Sequence, residues 1–188
     1  MKIKDIYSDL PILETERLIL RKITLDDLEE MFHYCSNDEV TKYLVWDTHK
    51  TIEDTKAFID FSLKRYKAHQ LSPWGIVDKE NKKFIGTIDF ITWDTKHKTA
   101  EIGYALSHEH WGKGMMTEAA KQVISFGFEH MDLTRIQARC FVENFGSERV
   151  MQKSGMTFEG ILRKSMFVKG EHKDLKIYSI LKEEHEQN

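Results

Sequence analysis

Proline is almost missing from this chain, with two residues in 188. Long Pro-rich linkers are therefore excluded. Cysteine is equally scarce. Cys35 and Cys140 lie far apart and show no CxxC spacing, which argues against a zinc site or a thioredoxin-like pair and leaves free buried thiols as the reading. Long apolar runs are absent too. No stretch reaches the ~20 apolar residues that cross a bilayer, and residues 1–10 lack the apolar core of a signal peptide. The expected location is the cytoplasm, with no membrane partner. An excess of positive charge is also lacking. Lys and Arg number 28 against 31 for Asp and Glu, a net charge of −3, so nothing suggests non-specific binding to nucleic acid.

What is present fits a folded domain. Hydrophobic residues make up 40% and charged residues 31%, enough to bury a core and too apolar for disorder. No break in composition, internal repeat or low-complexity segment divides the chain. One domain over residues 1–188 is expected.

Along the chain, Arg17-Leu-Ile-Leu-Arg-Lys22 reads as a strand. A helix follows near residues 25–35, capped by Thr24 or Asp26, with Leu28, Met31, Phe32 and Cys35 on one face. A second helix starts after Thr51. Three strands come next, near residues 72–77, 84–93 and 101–106, joined by short polar turns as an antiparallel meander. A long helix from Met116 carries Ala119, Ala120, Val123, Ile124, Gly127 and Phe128 at helical spacing. A strand near residues 135–142 alternates cleanly. A short helix capped by Ser147 and stopped by Gly155 precedes two last strands, 157–162 and 175–181. This order predicts a mixed α/β sheet, with one parallel step through the long helix.

The densest stretch is Glu101-Ile-Gly-Tyr-Ala-Leu-Ser-His-Glu-His-Trp-Gly-Lys-Gly-Met-Met-Thr. Tyr104 and Leu106 are assigned to one strand face and Ile102 to the other. A glycine corner opening a helix exposes amides at the positive end of a helix dipole, so it suits an anion, such as a nucleotide-like ligand near Thr117. The corner is not a Walker loop, because Lys113 sits between two glycines with no Ser or Thr after it. It is not a dinucleotide fingerprint, because Thr117 stands where the third glycine belongs. His108 and His110 lack matching ligands elsewhere, so no metal is expected.

Three segments in order carry a resemblance: Glu101-Ile-Gly-Tyr104; Trp111-Gly-Lys-Gly-Met-Met-Thr-Glu-Ala119; and Asn144-x-x-Ser147-x-x-Val150-Met-x-Lys153-x-Gly155-Met156-x-x-Glu159-Gly160. Together they resemble the GNAT superfamily of acyl-CoA-dependent N-acetyltransferases. The likeness extends over residues 12–182. Leu13-Glu-Thr-Glu-Arg-Leu-Ile-Leu-Arg21 and Glu159-Gly-Ile-Leu-Arg163 look like its Rim branch, which acetylates ribosomal-protein N-termini. Trp111 and Met116 depart from the usual ends of the family's pyrophosphate loop, where backbone amides do the binding.

The resemblance implies a mostly antiparallel α/β (α+β) sheet of about seven strands flanked by helices. A bulge in the strand ending near Leu106 would splay it from the next parallel strand and form the CoA cleft. Acetyl-CoA would be the cosubstrate and a primary amine the acceptor. The cofactor contacts would be the backbone at Leu106 or Ser107 for the thioester, and Trp111, Gly112, Lys113, Gly114, Met115, Met116 and Thr117 for the diphosphate, with Asn144 and Lys153. Glu101 would be the base, directly or through water. Many members carry a Tyr acid at the position of Met151, which cannot donate; Ser147 would serve instead, or only cap its helix. Tyr43, Trp46, Phe90, Trp93 and Tyr104 would shape the acceptor pocket. The acceptor would be a peptide or ribosomal-protein α-amine or, alternatively, a small amine such as a polyamine or aminoglycoside. A CoA-binding sensor without turnover is the third reading. Either a monomer or a homodimer is expected.

Overall fold

Residues 1–187 are described by a computed structural model. The helices are α1 (Ile3–Tyr7), α2 (Leu28–Cys35), α3 (Asp38–Thr41), α4 (Ile52–Lys67), α5 (Met115–His130), α6 (Phe145–Lys153) and α7 (Lys182–His185). The strands are β1 (Leu13–Glu14), β2 (Leu18–Lys22), β3 (Trp74–Asp78), β4 (Phe84–Asp94), β5 (Thr99–Leu106), β6 (Arg135–Phe141), β7 (Thr157–Val168) and β8 (Glu171–Leu181). All eight form one sheet in the order β1-β2-β3-β4-β5-β6-β8-β7. The mixed α/β sheet with flanking helices is therefore present. The strand beyond the expected seven is β1, two residues paired with Ile19 and Leu20, too short to show a period.

Every neighbouring pair is antiparallel except β5 and β6. These two are joined by the α5 crossover, as a parallel pair requires. Their pairing stops early. Thr99, Ala100 and Glu101 match Arg135, Ile136 and Gln137, and nothing pairs beyond. Yet β5 stays bonded to β4 as far as Leu106, and β6 to β8 as far as Phe141. A gap thus opens between residues 102–106 and 138–141. Its walls cannot collapse, because each strand is anchored on its other side. β5 itself carries no bulge. The extra residue is Ile91 of β4, between the pairs Phe90–Ile102 and Thr92–Glu101.

The sheet's two faces bury separate cores. Under α5 and α6 lie Ile88, Phe90, Ile102, Leu106, Val123, Ile136 and Met151. Under α2 and α4 lie Met31, Tyr34, Ile59, Phe84 and Ala105. The period of two puts Ile102 on the same face as Tyr104 and Leu106, which corrects the assignment to opposite faces. Both cysteines are buried and free. Among the described residues, no helix is long and apolar enough to cross a membrane.

Candidate active site

The corner after β5 is held on three sides. The Ser107 amide donates to the Ile85 carbonyl at 2.7 Å. The Trp111 indole N–H donates back to the Leu106 carbonyl at 2.9 Å, and its ring lies 4.7 Å from that of His108. Arg17 reaches in from the start of β2. Its Nε donates to Glu118 Oε2 at 2.7 Å, and its Nη1 donates to the Lys113 carbonyl at 3.0 Å. The Arg17 amide also donates to Glu118, at 2.9 Å. This clamp joins positions about a hundred apart and leaves no local pattern to read.

Gly112 and Gly114 have φ of 73° and 77°, left-handed values that cost an ordinary L-residue about 1–2 kcal/mol. A side chain at Gly112 would meet no atom within 4 Å, so the space above the loop is open. Helix α5 begins at Met115, and the amides of its first turn have no intrahelical partner. Open space, bare backbone and a helix N-terminus fit a diphosphate. Met115 and Met116 are buried, so only their backbone can take part. Lys113 and Trp111 are exposed, Thr117 is half-buried, and Lys153 is exposed at the end of α6.

Amide direction alternates along β5. Lys98 accepts from Thr134 on the β6 side, and the Ser107 amide points to Ile85 on the β4 side. By that alternation the Tyr104 and Leu106 amides face the gap. The Ser107 amide is taken by Ile85, so of the two expected moorings only the Leu106 amide is open to the gap, as is that of Tyr104.

Across the gap, Asn144 rather than Ser147 is the cap of α6. Its Oδ1 accepts the Ser147 amide at 3.0 Å. Ser147 is the third helical residue. Its Oγ lies 2.9 Å from Tyr104 Oη, which also donates to the Ser147 carbonyl at 3.2 Å. Tyr104 therefore bridges from β5 to α6. Burial pushes its phenol above the ordinary range, with the Ser147 bond opposing. Burial likewise pushes the nearby Cys140 thiol up to about 11, which makes it unreactive at neutral pH.

Glu101 lies on the opposite sheet face, 4% exposed. Its Oε2 accepts from Gln137 Nε2 and its Oε1 from Arg139 Nε, each at 2.8 Å. The row continues: Arg135 donates to Gln137 at 3.2 Å and to Glu159 at 2.5 and 2.7 Å, and Ser179 donates to Glu159 at 2.6 Å. Hydrogen bonds from Arg135 and Ser179 hold the Glu159 carboxyl down at about 2.

The aromatic residues expected around the acceptor separate. Tyr43 is half-buried against Phe141, Val168 and Leu175 beside the gap. Trp46 packs on the α2–α4 core, its ring 5.2 Å from His49. Phe90 and Trp93 are core residues instead, 0% and 7% exposed beneath α5. The bulge at Ile91 explains both: it turns residues 90 and 93 to one face despite their odd spacing. Among the described residues, no group of three His, Cys, Asp or Glu could hold a metal ion.

Known proteins share this architecture. The family profile described as acetyltransferase (GNAT) domain matches residues 17–157. An uncharacterised N-acetyltransferase of Bacillus subtilis (strain 168), YoaA, is 42% identical over 92% of this chain and 97% of its own length. The ribosomal-protein-serine acetyltransferase of Escherichia coli (strain K12) is 32% identical over 55% of this chain and 58% of its own. A GNAT-family acetyltransferase structure from Bacillus anthracis superposes with a TM-score of 0.82 at 32% identity, covering 92% of this chain and 99% of that one. With its split β5–β6 pair, its glycine corner at the start of α5 and this degree of likeness, the chain belongs to the GNAT family of acetyltransferases.

Proposed function

We propose that this protein transfers the acetyl group of acetyl-CoA to the α-amine of a peptide, with a ribosomal-protein N-terminus as the favoured acceptor. The carrying observation is the gap. It runs from an anion cradle at residues 112–117 to the Tyr104–Ser147 bridge, with two amides facing into it. Acetyl-CoA supplies a thioester. The cradle holds the diphosphate. The Tyr104 amide holds the thioester carbonyl and stabilises the oxyanion that develops there, and the Leu106 amide, roughly 7 Å along the strand, holds the pantetheine arm. Ser147 Oγ, oriented by Tyr104, protonates the departing sulfur.

Removal of the amine's proton belongs to the opposite face. Glu101, both of whose oxygens already accept from Gln137 and Arg139, orders the water through which that proton leaves. A terminal amine has a pKa of about 7.7–8.0, so a weak acceptor suffices. The peptide class is supported by the similarity to a ribosomal-protein-serine acetyltransferase and by Tyr43 flanking the mouth of the gap.

The test is thiol release from acetyl-CoA with a panel of amines. Peptides beginning with Ser, Ala or Thr are expected to turn over faster than a polyamine or an aminoglycoside. Turnover with small amines alone would move the acceptor class. Tight CoA binding with no release from any amine would replace the enzyme by a sensor.

A further inference from the structure

We infer that Asp89 is a catalytic residue that takes the proton directly from the acceptor ammonium, an inference resting on the transferase reading above. Asp89 pairs with Gly103 in the β4–β5 register. Its Oδ1 lies 3.8 Å from the point a Gly103 side chain would occupy. The carboxylate therefore leans over β5 two residues past the last β5–β6 pair, where the gap has just opened. It stands on the same face as Glu101, one residue from the inward amide of Tyr104. Leu106 is three residues farther, roughly 10 Å along the strand.

Glu101 and Asp89 differ in availability. Both Glu101 oxygens accept hydrogen bonds from β6. Asp89 is half-buried and makes no hydrogen bond or ion pair with any described residue. The charged and titratable groups near it are Arg65 and Tyr66 of α4 and Tyr7 of α1. Arg65 directs its Nε to the Leu71 carbonyl, and Tyr66 its hydroxyl to Pro73. The Tyr7 hydroxyl is buried without a hydrogen-bond partner among the described residues. On β5, Gly103 stands opposite Asp89, and Ile91 of β4 also packs over that glycine. Burial raises the Asp89 carboxyl to about 7, against the pull of Arg65. A carboxyl at that value lies within about a unit of a terminal amine, where proton exchange is nearly balanced.

The step balances as follows. One ammonium proton passes to the Asp89 carboxylate. The freed lone pair forms the C–N bond at the thioester carbon, and the C–S bond breaks with its electron pair on sulfur. Ser147 Oγ gives a proton to that sulfur and regains one from the nitrogen. Asp89 releases its proton to solvent. An amide, free CoA and one proton result.

The test is kcat/KM against pH, with acetyl-CoA and an N-terminal Ser peptide, for the intact protein, Asp89→Asn and Glu101→Gln. A limb rising with pH near 7 is expected in the intact protein and in Glu101→Gln. In Asp89→Asn the limb near 7 should vanish, leaving only the amine's own limb at about 7.7–8.0, and the rate at pH 8 fall about 100-fold, with CoA affinity unchanged. A limb that stays near 7 in Asp89→Asn, or that is lost in Glu101→Gln instead, overturns the inference and leaves the transferase reading standing. No turnover by the intact protein with any amine removes both. If Asp89→Asn fails to fold, carboxyl-carbon NMR of the intact protein decides. Titration of Asp89 near 7, shifting when peptide is added, supports the assignment, and an ordinary value near ~3.9 overturns it.

Discussion

Ser147 is held by two groups that have nothing in common in sequence. Asn144 fixes its amide and Tyr104, 43 positions away, fixes its hydroxyl. The hydroxyl proposed as the acid is thereby fixed before any ligand arrives. Ser147→Ala is expected to lower kcat by about 100-fold and leave the CoA dissociation constant nearly unchanged. Steady-state kinetics beside calorimetric titration of CoA measure both. An equal loss in affinity would make Ser147 a binding residue. Asp89 carries a cost that can be seen without kinetics. Its carboxyl value is raised on folding, so the folded state binds the extra proton more tightly and stability falls as pH rises from about 4 to about 7. Asp89→Asn should therefore melt a few degrees higher than the natural protein at pH 8, with little difference near pH 4. Glu101, Tyr104 and Ser147 enter the proposed site through the resemblance and not through spacing alone. Their partners were not legible, because Arg139 and Asn144 act across strands or through a cap. Asp89 did leave a signal: it stands between the apolar Ile88 and Phe90 in strand β4, which sets it on the face opposite theirs. Phe90 and Trp93 misled because aromatic character alone does not reveal the bulge that turns them inward.

The corner between β5 and α5 was the most legible element, since two close glycines before an apolar helical stripe admit few other structures. Its rigidity comes from elsewhere, through Arg17 and Glu118. Gly112→Ala should weaken CoA binding at least tenfold, because the new methyl group enters open space above the loop and the φ of 73° is strained. The stability loss should stay at about 1–2 kcal/mol. Calorimetric titration and urea unfolding separate the two, and unchanged affinity would place the diphosphate elsewhere. Short elements escaped the sequence. α1, α3 and β1 have five, four and two residues, too few for a period to register. The last hairpin was read too short for another reason. The register shifts between Leu162 and Met166, where Lys164 has φ of 47°, and that irregularity hides the strand's continuation to Val168.

On the scale of the molecule, the sheet separates two chemistries. One face is apolar under α5 and α6. The other carries the row from Ser179 and Glu159 through Arg135 and Gln137 to Glu101 and Arg139. This row ties β5, β6, β7 and β8 together on that face. Glu159 keeps its charge down to about 2, below its unfolded value of about 4.3. The stability it contributes is present above about 4.3 and lost as pH falls toward 2. Glu159→Gln should flatten the fall in melting temperature across that window, and an unaltered slope would show that the row does not stabilise the fold. The order of elements along the chain was legible because helix and strand periods are local, and the parallel step because a strand–helix–strand crossover implies it. The gap was known only through resemblance, because it depends on where pairing stops, and no single strand encodes that. The most direct measurement is hydrogen exchange of the intact protein with and without CoA. Added protection is expected at Tyr104, Leu106 and residues 112–117. Protection confined to other segments, or none at saturating CoA, would contradict the placement of acetyl-CoA between β5 and β6.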